Sequence, residues 1–216
     1  EMHIPMSIYA MENGKIVGSE VAGAYSVQDC WDLVDAYERT KTPIMMLENC
    51  CFDEFELLST AVYRSGKLGE LLYCHGCYSH DLRKEILGGN VNRHYRLRNY
   101  QSRNAENYPT HELGPIAKAL DINRGNRLTH LSSFGTRPGV NLERFETDAR
   151  CPDPTLKETK FAQSDIVTTT LTTEKGQVIT IRLDTSLPHF YAREFALRGV
   201  VGHRVLVHLL IYVEGF

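Results

Sequence analysis

No stretch of this sequence is long and apolar enough to cross a membrane as a helix, which takes about 20 residues. Excess basic charge is also missing. The 24 Lys and Arg stand against 27 Asp and Glu, a formal net charge of −3, so there is no footprint for nucleic acid. Cysteine is sparse: six in 216 residues do not make a disulfide framework, and the adjacent Cys50 and Cys51 suit free thiols. A Gly-x-Gly-x-x-Gly turn and a phosphate loop are absent, and Gly88-Gly89 alone carries no phosphate-binding signal. Repeats, low-complexity segments and a signal peptide are absent too. The chain opens on Glu1, already inside an apolar-periodic segment, and reads as a fragment of a longer protein.

What is present is a hydrophobic content of 42%, enough for a real core. Met2–Met11 predicts a helix with Ile4, Ile8 and Met11 on one face, stopped by Asn13-Gly14. Lys15–Val21 predicts a short strand. Ser26 with Asp29 predicts a capped helix. Its residues Val27, Cys30, Trp31, Val34 and Tyr37 recur at helical spacing, so that face is expected to be buried. Pro43–Leu47 predicts a strand covered on both faces. Helix, strand, helix, strand is half of a doubly wound α/β unit. Asp53 is expected to cap a helix with Phe55, Leu57, Leu58, Ala61 and Val62 inward. Glu70–His80 predicts a strand, Asp81–Tyr100 a long ordered loop, and Thr110 the cap of a helix running to Leu120. Strands follow at Arg127–Phe134, Asp165–Thr172 and Gln177–Asp184, the last two joined by a hairpin at Thr-Glu-Lys-Gly. A mainly antiparallel second half results.

The densest chemistry lies in Arg103–Pro115, where Tyr108, Pro109, His111 and two glutamates crowd a strand-to-helix turn. Pro109 keeps Tyr108 out of helical geometry. His111 falls in the first helical turn, where the helix N-terminus disfavours imidazolium. A neutral His beside a Tyr is a usable acid/base pair, and a capped surface helix with a satisfied His is the plain alternative. Cys74, His75, Cys77 and His80 invite a metal reading. Strand alternation, however, sends Cys74, Tyr78 and His80 to one face and His75 and Cys77 to the other, so no metal is expected. Glu20 and Glu48-Asn49 end two strands, where open α/β sheets bind ligands. His94, Arg96, Arg98 and Arg103 form a basic cluster suited to an anion or sugar-hydroxyl clamp, or to a solvated loop.

Several blocks, in order, resemble the NAD-dependent α-N-acetylgalactosaminidases, glycoside hydrolase family 109, within the Gfo/Idh/MocA oxidoreductases. They are Met46-Leu47-Glu48-Asn49-Cys50-Cys51, Tyr78-Ser79-His80-Asp81-Leu82-Arg83, His94-Tyr95-Arg96, Asn107-Tyr108-Pro109-Thr110-His111-Glu112-Leu113-Gly114-Pro115, and Leu187-Pro188 through Tyr191-Ala192-Arg193-Glu194-Phe195. The resemblance covers residues 1 to about 199 and fades in the tail Val200–Phe216. It implies an α/β chain, α+β overall. Residues 1–49 would be the second half of a Rossmann-like nucleotide-binding domain, and residues 50–216 a mainly antiparallel open-sheet C-terminal domain. Typical dehydrogenases of that superfamily place Glu-Lys-Pro where this chain has Glu20-Val21-Ala22, which favours the glycosidase branch.

By resemblance, the catalytic positions are His111, Tyr108, Tyr78, His80 and Tyr191. Glu20, Glu48, Asn49 and Arg96 would attend the cofactor, with Glu48 also a base candidate and Arg96 also a substrate holder. NAD is the implied cofactor, and a carbohydrate the substrate. The implied reaction is transient oxidation at C3, elimination, water addition and reduction. A homo-oligomer through the C-terminal sheet is implied, and the apolar tail run Val205–Tyr212 is expected to promote self-association. Two other readings remain: an NAD(P)-dependent sugar oxidoreductase, and an inactive truncated fragment.

Overall fold

The computed structural model describes residues 2–21, 23–93, 95–205 and 210–213. They form two compact units that divide between Phe52 and Asp53.

The N-terminal unit runs α1 (His3–Glu12), β1 (Val17–Ser19), α2 (Val27–Thr40) and β2 (Ile44–Met46). Asn13 caps α1, and Gly14 turns the chain at a φ of 66°, a left-handed conformation that glycine adopts freely. Ser26 and Asp29 make the reciprocal capping box at the start of α2, a device worth about 1 kcal/mol. The two strands pair in parallel, Val17 opposite Ile44 and Ser19 opposite Met46, so both carboxyl ends lie on one edge. Two expectations are corrected here. The stripe on α2 is exposed, with Val27 at 75% and Trp31 at 61%, and α2 packs on α1 through Ala36 instead. β2 is not covered on both faces either: Met45 and Met46 are exposed, and among the described residues β2 pairs with β1 alone.

The C-terminal unit is built on a seven-stranded sheet in the order β4-β5-β6-β3-β7-β8-β9. Its strands are β3 (Leu71–Ser79), β4 (Leu128–Gly135), β5 (Ile166–Thr173), β6 (Val178–Asp184), β7 (Ala196–Gly199), β8 (Gly202–Val205) and β9 (Leu210–Val213). β3 and β6 run parallel, and every other neighbouring pair is antiparallel. The expected tail run spans the end of β8 and most of β9, and residues 206–209 lie outside the described residues. The β5–β6 hairpin closes through Gly176 at a φ of 88°.

Strand alternation divides the sheet. Ile179, Ile181 and Leu183 of β6 share a covered face with Cys74, Gly76 and Tyr78 of β3. Helix α7 (Thr110–Ala119) packs on that face, burying Ile116 and Ala119 against Leu71, Cys74 and Phe195. A second core holds Tyr78, Leu82, Ile86, Leu87, Leu97, Tyr100, Leu142, Phe145 and Leu183. That core overturns the loop expected at Asp81–Tyr100. The segment folds as α4 (Arg83–Leu87), α5 (Gly89–Asn92) and α6 (Tyr95–Ser102), since Leu82/Ile86 and Leu97/Tyr100 recur at helical spacing and bury. Helix α8 (Val140–Phe145) likewise interrupts the stretch expected as loop at Thr136–Thr159.

Helix α3 (Glu54–Arg64) is rotated from its expected face. Leu57, Leu58 and Ala61 are exposed, while Glu56, Ser59 and Thr60 are buried beside the half-buried Phe55 and Val62. The cause is Arg193, which pairs with Glu56 at 2.8 Å and with Asp53 at 2.7 Å. Asp53 therefore precedes the helix without a side-chain cap bond.

Candidate active site

Three separate segments bring five rings together in the C-terminal unit. Strand β3 supplies Tyr78, and His80 follows its end on the same face, the two rings 6.3 Å apart. The turn before α7 supplies Tyr108, stacked on Tyr78 at 4.9 Å and 26°. His111, in the first turn of α7, lies edge-on to both, 4.9 Å from Tyr108 and 5.6 Å from Tyr78. Thr110 is the first helical residue and Pro109 occupies the cap position, one residue earlier than expected. Tyr191 comes from the segment between β6 and β7. Ser79 and Ala192 exchange both backbone hydrogen bonds, at 3.0 and 2.9 Å, and this bridge brings Tyr191 within 5.4 Å of His80 and 6.2 Å of Tyr78.

Electrostatics around the rings are set by Arg96. Its guanidinium lies 5.2 Å from the Tyr108 ring, pairs with Glu85 and is itself largely buried. Burial pushes the Tyr78 phenol up, and Arg96 pulls it back. His80 Nδ1 is buried with no hydrogen-bond partner among the described residues. An orphaned imidazole nitrogen is costly unless something bonds to it, so it is a ready place for a ligand hydroxyl. Tyr191 is half exposed, so the cluster is open to solvent on that side. Three phenols and two imidazoles at these distances can take and return protons around one small polar ligand.

Of the cofactor-side positions, Glu20 is exposed directly after β1, and its carboxylate accepts from Val21 N at 3.4 Å. Glu48 is buried after β2 and accepts from Cys50 N at 3.0 Å, while Asn49 opens a 3-10 turn. These three belong to the N-terminal unit, Arg96 and the rings to the C-terminal one. His94 lies outside the described residues.

The Cys74–His80 motif splits as strand alternation requires. Cys74 sits in the core with its thiol pushed up to about 12 by burial, and His75 on the opposite face pairs with Glu194 at 3.2 Å. Sequence reasoning missed the support around the rings. Arg193 lies 5.9 Å from the Tyr191 ring, donates to its hydroxyl at 3.4 Å, and anchors on buried Glu56. Glu112, beside His111, is buried with Glu106, and no periodicity distinguishes a buried glutamate from a surface one.

Removing one partner of a buried pair leaves the other charge unpaired, at a cost of about 3–5 kcal/mol. Arg193→Ala should therefore lower stability by about that amount and free Tyr191. Urea unfolding with near-ultraviolet circular dichroism reads both. An unchanged midpoint would mean Glu56 finds another partner.

Comparison with known proteins gives a consistent picture. The model for the Glycosyl hydrolase 109, C-terminal domain, matches residues 53–216. A Glycosyl hydrolase family 109 protein of Stenotrophomonas maltophilia is 36% identical over 100% of this chain and 51% of its own length. An Alpha-N-acetylgalactosaminidase of Bacteroides fragilis is 35% identical over 93% of this chain and 48% of its own. The chain thus spans about half the length of the curated relatives it matches. An inositol dehydrogenase homolog from Azotobacter vinelandii, solved with NAD+, shares the fold at a TM-score of 0.71 and 15% identity, over 100% of this chain and 52% of that one.

Proposed function

The chain belongs to glycosyl hydrolase family 109, and from that membership we propose that the protein releases terminal α-N-acetylgalactosamine-type sugars from glycosides. The route is NAD-assisted oxidation at C3, elimination, water addition and re-reduction. The observation that carries this reading is the five-ring cluster of Tyr78, His80, Tyr108, His111 and Tyr191, with the orphaned His80 Nδ1 inside it. The named roles rest on Tyr and His rather than on the two flanking carboxylates of ordinary glycosidases.

The donor set of the N-terminal unit suits one end of a dinucleotide. A mainly apolar groove of about 420 Å³ there is lined by Met2, Met6, Ala10 and Val17 with His3, Ser19 and Glu20, and a carboxylate at a strand's carboxyl end suits ribose hydroxyls. The pyrophosphate takes a glycine-rich turn at a helix N-terminus, and the sequence has none. A bound NAD would supply the hydride acceptor for the C3 carbinol and the hydride for the closing reduction.

The chain's own residues move the protons. His111, edge-on to Tyr108, takes the proton from the C3 hydroxyl. The C3 ketone makes the C2 proton acidic, and Tyr78 or Tyr191 removes it. The C1 substituent then leaves, water adds its hydroxyl at C1 and its proton goes to the departing alcohol oxygen, the tyrosine returns its proton to C2, and His111 gives its proton back to O3. Hydrolysis is the net result. Arg96 holds polar groups of the substrate beside Tyr108, and its charge offsets part of the burial that holds the Tyr78 phenol protonated.

Assaying the complete enzyme on an α-N-acetylgalactosaminide tests this. Sugar release without accumulation of reduced NAD supports it, and reduced NAD in step with an oxidised sugar would replace it with a sugar dehydrogenase. The 216-residue chain by itself should bind NAD more weakly than micromolar, since it lacks the pyrophosphate turn. A micromolar or tighter dissociation constant by calorimetry would show that other groups of this chain hold the pyrophosphate.

A further inference from the structure

Beneath the Tyr108–His111 turn lie two acidic side chains that the chemistry above does not use. Glu112 is 1% exposed, on the first turn of α7, and its Oε2 accepts from Arg182 N at 3.0 Å. Glu106 precedes the turn, and its Oε1 accepts from Tyr108 N at 3.5 Å. The remaining oxygens, Glu106 Oε2 and Glu112 Oε1, are buried and receive no N–H or hydroxyl. The two carboxyls are neighbours, and each feels the other. Two buried carboxylates side by side repel when both are ionised, and neither carries a donor unless one keeps its proton.

We propose that Glu106 and Glu112 are a positioning pair that shares one proton between these buried oxygens and so locks Tyr108 and His111 in register with Tyr78. Calling Tyr108 and His111 acid/base groups rests on the function proposed above; the lock itself does not.

Charges facing the pair come from each packed element. They are Arg182 on β6, whose guanidinium bonds Glu194 at 2.7 Å, Cys77 on β3, and Tyr100 on α6, with Tyr108 and His111 on the turn and α7 themselves. None supplies a donor to the two inner oxygens. Burial pushes Glu106 up to about 7 from an ordinary 4.5, and burial with the neighbouring Glu106 charge pushes Glu112 well up too. A carboxyl that keeps its proton longer in the folded chain than in the unfolded one stabilises the fold at low pH. That contribution is complete below about 4.5 and fades as the pH climbs through about 7.

The experiment follows thermal unfolding and the near-ultraviolet tyrosine signal of the 216-residue chain between mildly acidic and mildly alkaline pH. The comparison is wild type with Glu112→Gln and Glu106→Gln. Wild type should lose stability and change its tyrosine signal in one step as the pH rises. An amide donates permanently where the shared proton did, so Glu112→Gln should fold and lose the step. Glu106→Gln is the second reading if Glu112→Gln proves unstable. In the complete enzyme the alkaline limb of the kcat profile should shift with the same substitution. A step that survives in both variants would assign it to other groups and overturn the pair. So would a wild type without any step. Neither readout on the chain needs turnover, so their failure and a failure of the glycosidase reading are told apart.

Discussion

Replacing His111 with alanine in the complete enzyme should abolish measurable glycosidase turnover and leave NAD binding nearly unchanged. The imidazole lies edge-on to both Tyr108 and Tyr78, so it is the group best shared between the two phenols. Losing one acid/base group costs about 10²–10⁴-fold in rate. The groups expected at the dinucleotide, Glu20, Glu48 and Asn49, belong to the other unit, and the substitution removes none of them. His111→Gln separates ring chemistry from hydrogen bonding, because the amide fills similar space but cannot relay a proton. Steady-state rates with calorimetric NAD titration decide the matter. A variant that keeps near-normal turnover would make His111 a helix-start residue and nothing more.

Parts of the ring cluster were legible in the sequence from local rules, and joining them took the resemblance. Alternation along β3 placed Tyr78 and His80 on one face, and Pro109 placed Tyr108 and His111 at the turn into a helix, which follows α6 rather than a strand. Tyr191 was reachable only by resemblance, since a bridge from Ser79 to Ala192 joins residues far apart in the chain. Burial was less legible. The α2 stripe reads as core by period, yet periodicity reports which residues share a face, not whether anything covers it. On α3 the apolar residues point out because a buried arginine turns Glu56 inward, and an ion pair of this kind leaves no periodic signal. The helices in 81–100 were hidden by polar residues and glycines between Leu82 and Tyr100. What folds them is the core they reach, not their own propensity.

Gly76→Ala should cost turnover more than it costs stability. Gly76 lies on the covered face of β3, between Cys74 and Tyr78, against the start of α7. A Cβ added there would meet the Glu112 carbonyl oxygen at 2.9 Å and Glu112 Cβ at 3.2 Å. The first of these is backbone inside a helix, so no rotamer change relieves the contact. The helix must move, and His111 and Tyr108 move with it, since they flank Glu112 on the same turn. Overpacking of this kind typically costs about 1–3 kcal/mol. A misplacement of about 1 Å at reacting groups can cost about 10²-fold in rate. The Glu112 bond to Arg182 N and its contact with Glu106 would stretch together, so the tyrosine signal should lose its pH step as well. Urea unfolding, kcat/KM in the complete enzyme and near-ultraviolet dichroism of the chain make the three measurements. Wild-type values in all three would mean that α7 can yield, and that the close approach at Gly76 is not what holds His111 and Tyr108 against Tyr78.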